Sequence, residues 1–267
     1  MTALAARRRH PLALVVLIAL GLISTGALYA AIAPRPAVAA GASSDQVAAG
    51  KKLFLANCST CHGKNAAGSP TSASQAIAGP SLIGVGAASV DFQVSTGRMP
   101  LSAPGPQAPQ GPVLFSDEQI AQLAAYVGSL APGPAIPGAE FTSGAGGDVA
   151  KGGAIFRVNC AMCHNFAGAG GALTRGKYAP AIKNVNGKQI YEAMVTGPQA
   201  MPVFNDANIS PESKRDVIAY ALNVQKEAKA GGDTLGNLGP VSEGLFAWVV
   251  GIGALIGCAV WLGAKAA

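Results

Sequence analysis

The sequence predicts an all-α protein: two copies of one small helical domain in tandem, between an N-terminal hydrophobic segment and a C-terminal transmembrane helix. Three observations predict it. Two stretches of the 267-residue chain align with each other from end to end. Each copy opens and closes with apolar residues at helical spacing, and no stretch sustains the alternation of a strand. Two long uncharged runs flank the pair.

Residues 1–40 begin with Arg7, Arg8 and Arg9, followed by 22 uncharged residues from Leu12 to Ala33. At about 1.5 Å per residue such a helix crosses a hydrocarbon core about 30 Å thick. An Arg-rich start, an apolar run and the small-residue string Ala37-Val38-Ala39 also describe an export signal, whose apolar part usually has only about 7–15 residues. The segment therefore reads as an anchor or a signal, its length favouring the anchor.

Residues 45–130 form the first copy and 148–230 the second. GKKLFLANCSTCH, from Gly50, aligns without a gap with GGAIFRVNCAMCH, from Gly152. Pro80 then falls opposite Pro180, Met99 opposite Met201 and Tyr126 opposite Tyr220, and a repeat of this kind decides the architecture. Helices are expected over 46–57, 116–130, 149–159 and 210–228, with Ser116 and Ser210 as N-caps ahead of acidic first turns. Phe54, Phe156, Tyr126 and Tyr220 are expected to pack these helices together. Residues 131–147, rich in proline, glycine and small side chains, read as a linker. The first copy carries an extra loop, LSAPGPQAPQGPV, that the second lacks.

The second uncharged run, Gly244 to Ala264, has 21 residues between Glu243 and Lys265 and reads as a transmembrane tail anchor, 244–264. Trp248 and Trp261 suit the two interfaces, and Cys258 is a small apolar residue within the span. Arg7–Arg9 before the first span and Lys265 after the second place both ends in the cytoplasm and the two copies outside it.

The net charge of +6 rests largely on these flanking groups, and without Arg7, Arg8, Arg9 and Lys265 there remain 15 basic and 13 acidic residues. That excludes a nucleic-acid binder of the basic-patch type. The second copy holds ten basic and six acidic residues, against four and four in the first. It could present a basic face to an acidic partner or carry an ordinary solvated surface.

Four of the five cysteines and two of the three histidines lie in the strings Cys58-Ser-Thr-Cys61-His62 and Cys160-Ala-Met-Cys163-His164. C-x-x-C-H is the attachment signature of c-type haem: two thiols bind the porphyrin covalently, and the adjoining imidazole becomes an axial iron ligand. A dithiol redox pair would not need the histidine, and a zinc site would need further ligands. Two covalently bound c-type haems also supply the apolar centre that domains this small otherwise lack.

Outside the membrane no third histidine remains, since His10 belongs to the basic start. Methionine is the usual alternative ligand in electron-carrying cytochromes. Met99 follows His62 by 37 residues, Met201 follows His164 by 37, and both precede proline. His62/Met99 and His164/Met201 are therefore the expected axial pairs. Met162 lies between two cysteines and cannot reach the opposite face, and Met194 has no counterpart and reads as core. The carbonyls of Pro80 and Pro180 are expected to receive the second ring N–H of each histidine. Arg98, beside Met99, is a candidate for a haem propionate or a partner.

On these motifs each copy resembles a class I cytochrome c domain. The whole chain resembles the dihaem cytochrome c subunit of the actinobacterial menaquinol–cytochrome c reductase, the cytochrome bcc complex. FQVSTGRMP in the first copy, NCAMCHNFAGAGGAL and KYAPAI in the second, and a C-terminal span after LGPVSEGLFAW carry the resemblance, from about residue 45 onward. It implies a respiratory membrane complex with a cytochrome b subunit and a Rieske iron–sulfur subunit, on which menaquinol is oxidised. This chain would carry electrons from the Rieske centre through its two haems to the copper site of cytochrome c oxidase. It would be the electron-transfer subunit of the enzyme, with no catalytic residues of its own. A dihaem subunit of a cbb3-type oxidase, usually anchored at its N-terminus, and the cytochrome of a periplasmic dehydrogenase are the alternatives. A dihaem peroxidase would need one iron with a displaceable ligand.

Overall fold

The computed structural model describes residues 11–32, 42–69, 79–226 and 240–265. The first apolar run is a single helix, α1 (Pro11–Ile32). Arg7–Arg9, His10 and the Ala37-Val38-Ala39 string lie outside the described residues.

The first copy begins where Ser43 caps α2 (Ser44–Asn57): its hydroxyl accepts from the Gln46 N–H while the Gln46 side chain accepts from Ser43 N–H. Such a reciprocal pair satisfies two amides that the first helical turn leaves free. A short turn, α3 (Ser59–His62), carries the second cysteine and the histidine. After α4 (Gly86–Ser95), Ser116 and Gln119 repeat the capping pair at the start of α5 (Asp117–Gly128). The second copy follows the same plan in α7 (Val149–Asn159), α8 (Ala161–His164), α9 (Gly187–Thr196) and α10 (Pro211–Lys226). Asp148 caps α7, Asn186 caps α9, and Ser210 accepts from Ser213 N–H. A two-residue antiparallel pair, β1 (Gly171–Ala172) with β2 (Tyr178–Ala179), holds the loop after α8.

Within each copy the first and last helices cross at a glycine. At Gly50 on α2 an added Cβ would stand 1.9 Å from the Gln122 carbonyl oxygen of α5, and at Gly152 on α7 it would stand 1.9 Å from that of Asp216 on α10. Backbones this close let one aromatic pair bridge each crossing, Phe54 with Tyr126 at 5.3 Å and Phe156 with Tyr220 at 5.2 Å between centroids. These are the packing residues that the repeat predicts.

Neither α4 nor α9 is among the helices expected from the sequence. In α4, seven of ten residues are buried, Gly86 through Ala88, Val90 through Phe92 and Val94, so no polar face marks it. It is enclosed because α9 packs on its outer side, joining the two copies. Lys188 Nζ on α9 lies 2.7 Å from Asp91 Oδ2 on α4, and the Gln189 side chain donates to the Ser95 carbonyl. The 131–147 segment is tied to both copies. Ala88 N–H donates to Pro134 O at 3.1 Å, and the short helix α6 (Ala139–Thr142) sets Phe141 against the Tyr191 ring.

Glu192 stands at this junction with no exposed surface and with neither carboxyl oxygen hydrogen-bonded in the structure. Burial, then the neighbouring Asp91 charge, push its carboxyl up to about 8, against a weaker opposing pull from Lys188. Between about pH 4.5 and 8 the unfolded chain ionises this group while the folded one keeps its proton, so stability falls as pH rises through that window. Glu192→Gln is therefore expected to stabilise the protein by about 1–3 kcal/mol at pH 8, with the gain fading toward pH 4.5. Thermal melts at several pH values check it.

The C-terminal run is helical throughout, as α11 (Pro240–Phe246), a π-helical turn (Ala247–Ile252) and α12 (Gly253–Lys265). Ser242–Lys265 and Leu12–Tyr29 are both long and apolar enough to cross a membrane, and among the described residues neither window has a buried residue. Trp248, Trp261 and Cys258 are exposed on the C-terminal helix.

Candidate haem sites

The cysteine strings sit at the C-terminal end of α2 and of α7. In each, the helix breaks at the first cysteine and restarts as one tight turn, so that the histidine N–H bonds back to that cysteine's carbonyl. The bond is 3.0 Å from His62 to Cys58 and 2.9 Å from His164 to Cys160. This turn brings both sulfur-bearing side chains and the imidazole to one end of the helix.

The chain then loops back in the same way twice. Gly68 N–H bonds to His62 O and Leu82 N–H to Ala66 O; at the equivalent positions Gly170 bonds to His164 and Ile182 to Gly168. The return passes place Pro80 O 2.8 Å from His62 Nδ1 and Pro180 O 2.9 Å from His164 Nδ1. A carbonyl can only accept, so Nδ1 carries the proton and Nε2 is left as the lone-pair donor, the form in which imidazole binds a metal. Burial lowers the His164 pKa, with the Pro180 bond opposing it, which keeps that ring neutral. At Gly79 an added Cβ would lie 2.8 Å from His62 Nδ1, so the proline carbonyl reaches the ring only because its neighbour has no side chain.

Burial, with the partner cysteine second, pushes the Cys58 and Cys160 thiols up to about 11. A dithiol pair built for exchange lowers its pKa instead. The raised values of Cys58 and Cys160 argue against such an exchange pair.

In the second copy the expected ligands face one cavity of about 380 Å³, lined by Cys160, Cys163, His164, Pro180 and Met201 among mostly apolar side chains. Met201 is positioned by a turn in which its N–H bonds to Pro198 O, after Gly197 has turned the chain through a left-handed φ of 59°. In the first copy Cys58 and Met99 pack against the same buried cluster around Phe54, Leu123 and Val127. Met194 is 2% exposed in the second core, and Met162 is 90% exposed between its cysteines. Met194 thus lies in the core, as the sequence suggests, and both methionines also border the cavity.

Sequence reasoning missed that the first copy helps to build the second cavity. Phe92, Thr96, Arg98, Gln107 and Gln110 all line it. Gln107 belongs to the extra loop of the first copy and binds Tyr178 with both ends of its amide: Nε2 donates to Tyr178 O and Oε1 accepts from Tyr178 N–H, each at 2.9 Å. Gln199 adds a bond from Ala108 N–H at 3.3 Å. The presence of this loop in one copy only was the sole signal in the sequence.

Two thiols, a neutral imidazole with a free Nε2, a thioether on the same cavity and an apolar lining fit a covalently attached haem. Comparison with known proteins agrees. Residues 47–131 match the family model described as cytochrome c, and residues 147–220 match the one described as cytochrome c oxidase, cbb3-type, subunit III. Over 97% of its length the chain is 44% identical to the cytochrome bc1 complex cytochrome c subunit of Mycobacterium tuberculosis, covering 93% of that protein. The like-named subunit of Mycobacterium leprae is 44% identical over 94% of the chain and 87% of its own length. That of Corynebacterium efficiens is 42% identical over 92% and 86%.

Proposed function

We propose, from the premise that this chain belongs to the family of cytochrome c subunits of the cytochrome bc1 complex, the specific route and partners of its electron transfer. The electron-transfer role in a bc-type complex, with two covalent c-type haems, is given by that membership. In the proposed route the chain takes electrons one at a time from a Rieske iron–sulfur subunit, beside a cytochrome b subunit on which menaquinol is oxidised. It delivers them to the copper site of cytochrome c oxidase. The observation that carries the reading is the duplicated site: two histidines with Nδ1 tied to a proline carbonyl, each followed at the same distance by a methionine in a loop beside the same core.

When bound, haem supplies a reversible one-electron iron couple, which methionine ligation raises in potential. The protein's contribution is positional. Cys58 and Cys61, and Cys160 and Cys163, hold the ring edges covalently. His62 and His164 are the proposed proximal ligands, oriented by Pro80 and Pro180, and Met99 and Met201 the proposed distal ones. These four side chains would hold the two irons, and the chemistry the group would supply there is electron transfer. Domains 45–130 and 148–230 are the units that hold them, joined by 131–147. In the proposed topology these domains lie outside the cell membrane and the 244–264 anchor ends in the cytoplasm.

The match of residues 147–220 to a cbb3-type oxidase subunit favours the second reading, a dihaem subunit of such an oxidase. That match covers one domain only, whereas the bc1 relatives align along nearly the whole chain, C-terminal span included. Purification in mild detergent separates the two. Co-isolation of a Rieske protein, a cytochrome b and a copper-containing oxidase is the expected result. Recovery with a cbb3-type catalytic subunit and no Rieske protein would overturn the proposed route.

A further inference from the structure

Arg98 comes from the first copy, immediately before that copy's proposed axial methionine, yet it lines the cavity of the second. Its side chain is largely buried, at 8% exposed, with the guanidinium 5.1 Å from the centroid of Phe92, which lines the same cavity. Main-chain bonds from both Arg98 N–H and Met99 N–H to the Gln93 carbonyl fix its position.

Among the described residues no carboxylate lies within ion-pair distance of it; the ion pairs there join Lys151, Lys188 and Lys214 to Asp148, Asp91, Glu192 and Asp206. Burial lowers the Arg98 pKa, and Tyr178 acts the other way. Guanidinium does not give up its proton in a protein, so it cannot escape the desolvation cost by neutralising itself. Beyond the Phe92 ring, an anion brought by the cavity's occupant would offset this buried cation. A haem carries two carboxylates on an otherwise apolar body, and the same lining holds the side-chain amides of Gln107 and Gln199.

We propose that Arg98 of the first domain binds a propionate of the second domain's haem, and so sets that haem's potential from across the domain boundary. This rests on the reading of residues 160–164 as a haem site. Arg98 acts as a positioning and charge-balancing residue. A guanidinium beside the carboxylate offsets its negative charge, which would otherwise favour the ferric iron, and holds it ionised across the working pH range. Because Arg98 and Met99 share one turn, the loop that would close the first haem site also places the counter-charge of the second.

The test is redox titration of the full-length purified chain as Arg98→Gln and Arg98→Lys, with covalent haem counted by the pyridine haemochrome assay. The second haem's signal is identified as the one that Met201→Ala alters. With two haems still attached, Arg98→Gln should shift the second haem about tenfold toward its ferric form, about 59 mV for one electron. Its potential should also begin to fall with rising pH near neutrality, since the unpaired carboxylate now takes up a proton on reduction. Arg98→Lys keeps the charge and should show little of that pH dependence. A purely structural role would lower the melting temperature and leave the second haem's potential and pH profile at their wild-type values. That outcome, or a shift confined to the first haem, overturns the proposal. A count below two haems in the wild-type chain would instead sink the haem reading itself.

Discussion

Met201→Ala is expected to leave haem covalently bound in the second domain while changing its spin state and lowering its potential by a sizeable part of the about 0.8 V that axial ligands span. The attachment survives because Cys160, Cys163 and the His164–Pro180 bond belong to other segments of the cavity lining than the mutated loop. The potential falls because a thioether favours ferrous iron, and an open or water-filled position does not. Two other methionines border the same cavity: Met194, 2% exposed in the core with its carbonyl accepting from Phe204 N–H at 2.7 Å, and Met162, 90% exposed between the cysteines. Met162→Leu is the control and should leave the spectrum unchanged. An unaltered spectrum in Met201→Ala would remove Met201 from the ligand set.

The largest loss of stability is expected from a side chain at the helix crossings. Gly152→Val would drive its Cβ into the Asp216 carbonyl oxygen, and Gly50→Val would do the same at Gln122. The obstacles are backbone atoms of a packed helix, which cannot rotate aside, so α7 and α10, or α2 and α5, must separate. Overpacking commonly costs about 1–3 kcal/mol and sometimes more. Here the separation also opens the Phe156–Tyr220 or Phe54–Tyr126 pair, so about 3 kcal/mol or more is expected, a large share of a small domain's stability. Ala48→Val, on the exposed side of α2, should change stability by no more than about 0.5 kcal/mol. Denaturant unfolding of the purified variants decides it, and wild-type stability in Gly152→Val would show that the crossing can relax.

These two sites differ in how far they could be read without coordinates. The proposed ligands follow from local spacing, because covalent attachment of haem demands it and because the repeat aligns Met99 with Met201. The glycines were visible only as aligned letters, Gly50 over Gly152. Their reason, two backbones in contact, is a distance between residues far apart in the chain. Similarly, Ser116 could be named as a cap because capping is a local hydrogen bond, whereas α4 escaped notice because burial on almost every side erases the polar face that marks a helix.

By itself the sequence determined the duplication, the two apolar spans, the two C-x-x-C-H sites and the paired methionines, since each is set by spacing along one stretch of chain. Only the tertiary structure decided how the two copies meet. The Lys188–Asp91 pair, the clasp of Gln107 on Tyr178 and the entry of Arg98 into the second cavity all join residues from different copies, and the same junction buries Glu192. Such contacts leave no period or motif, because whether a buried charge finds a partner depends on the surface brought against it.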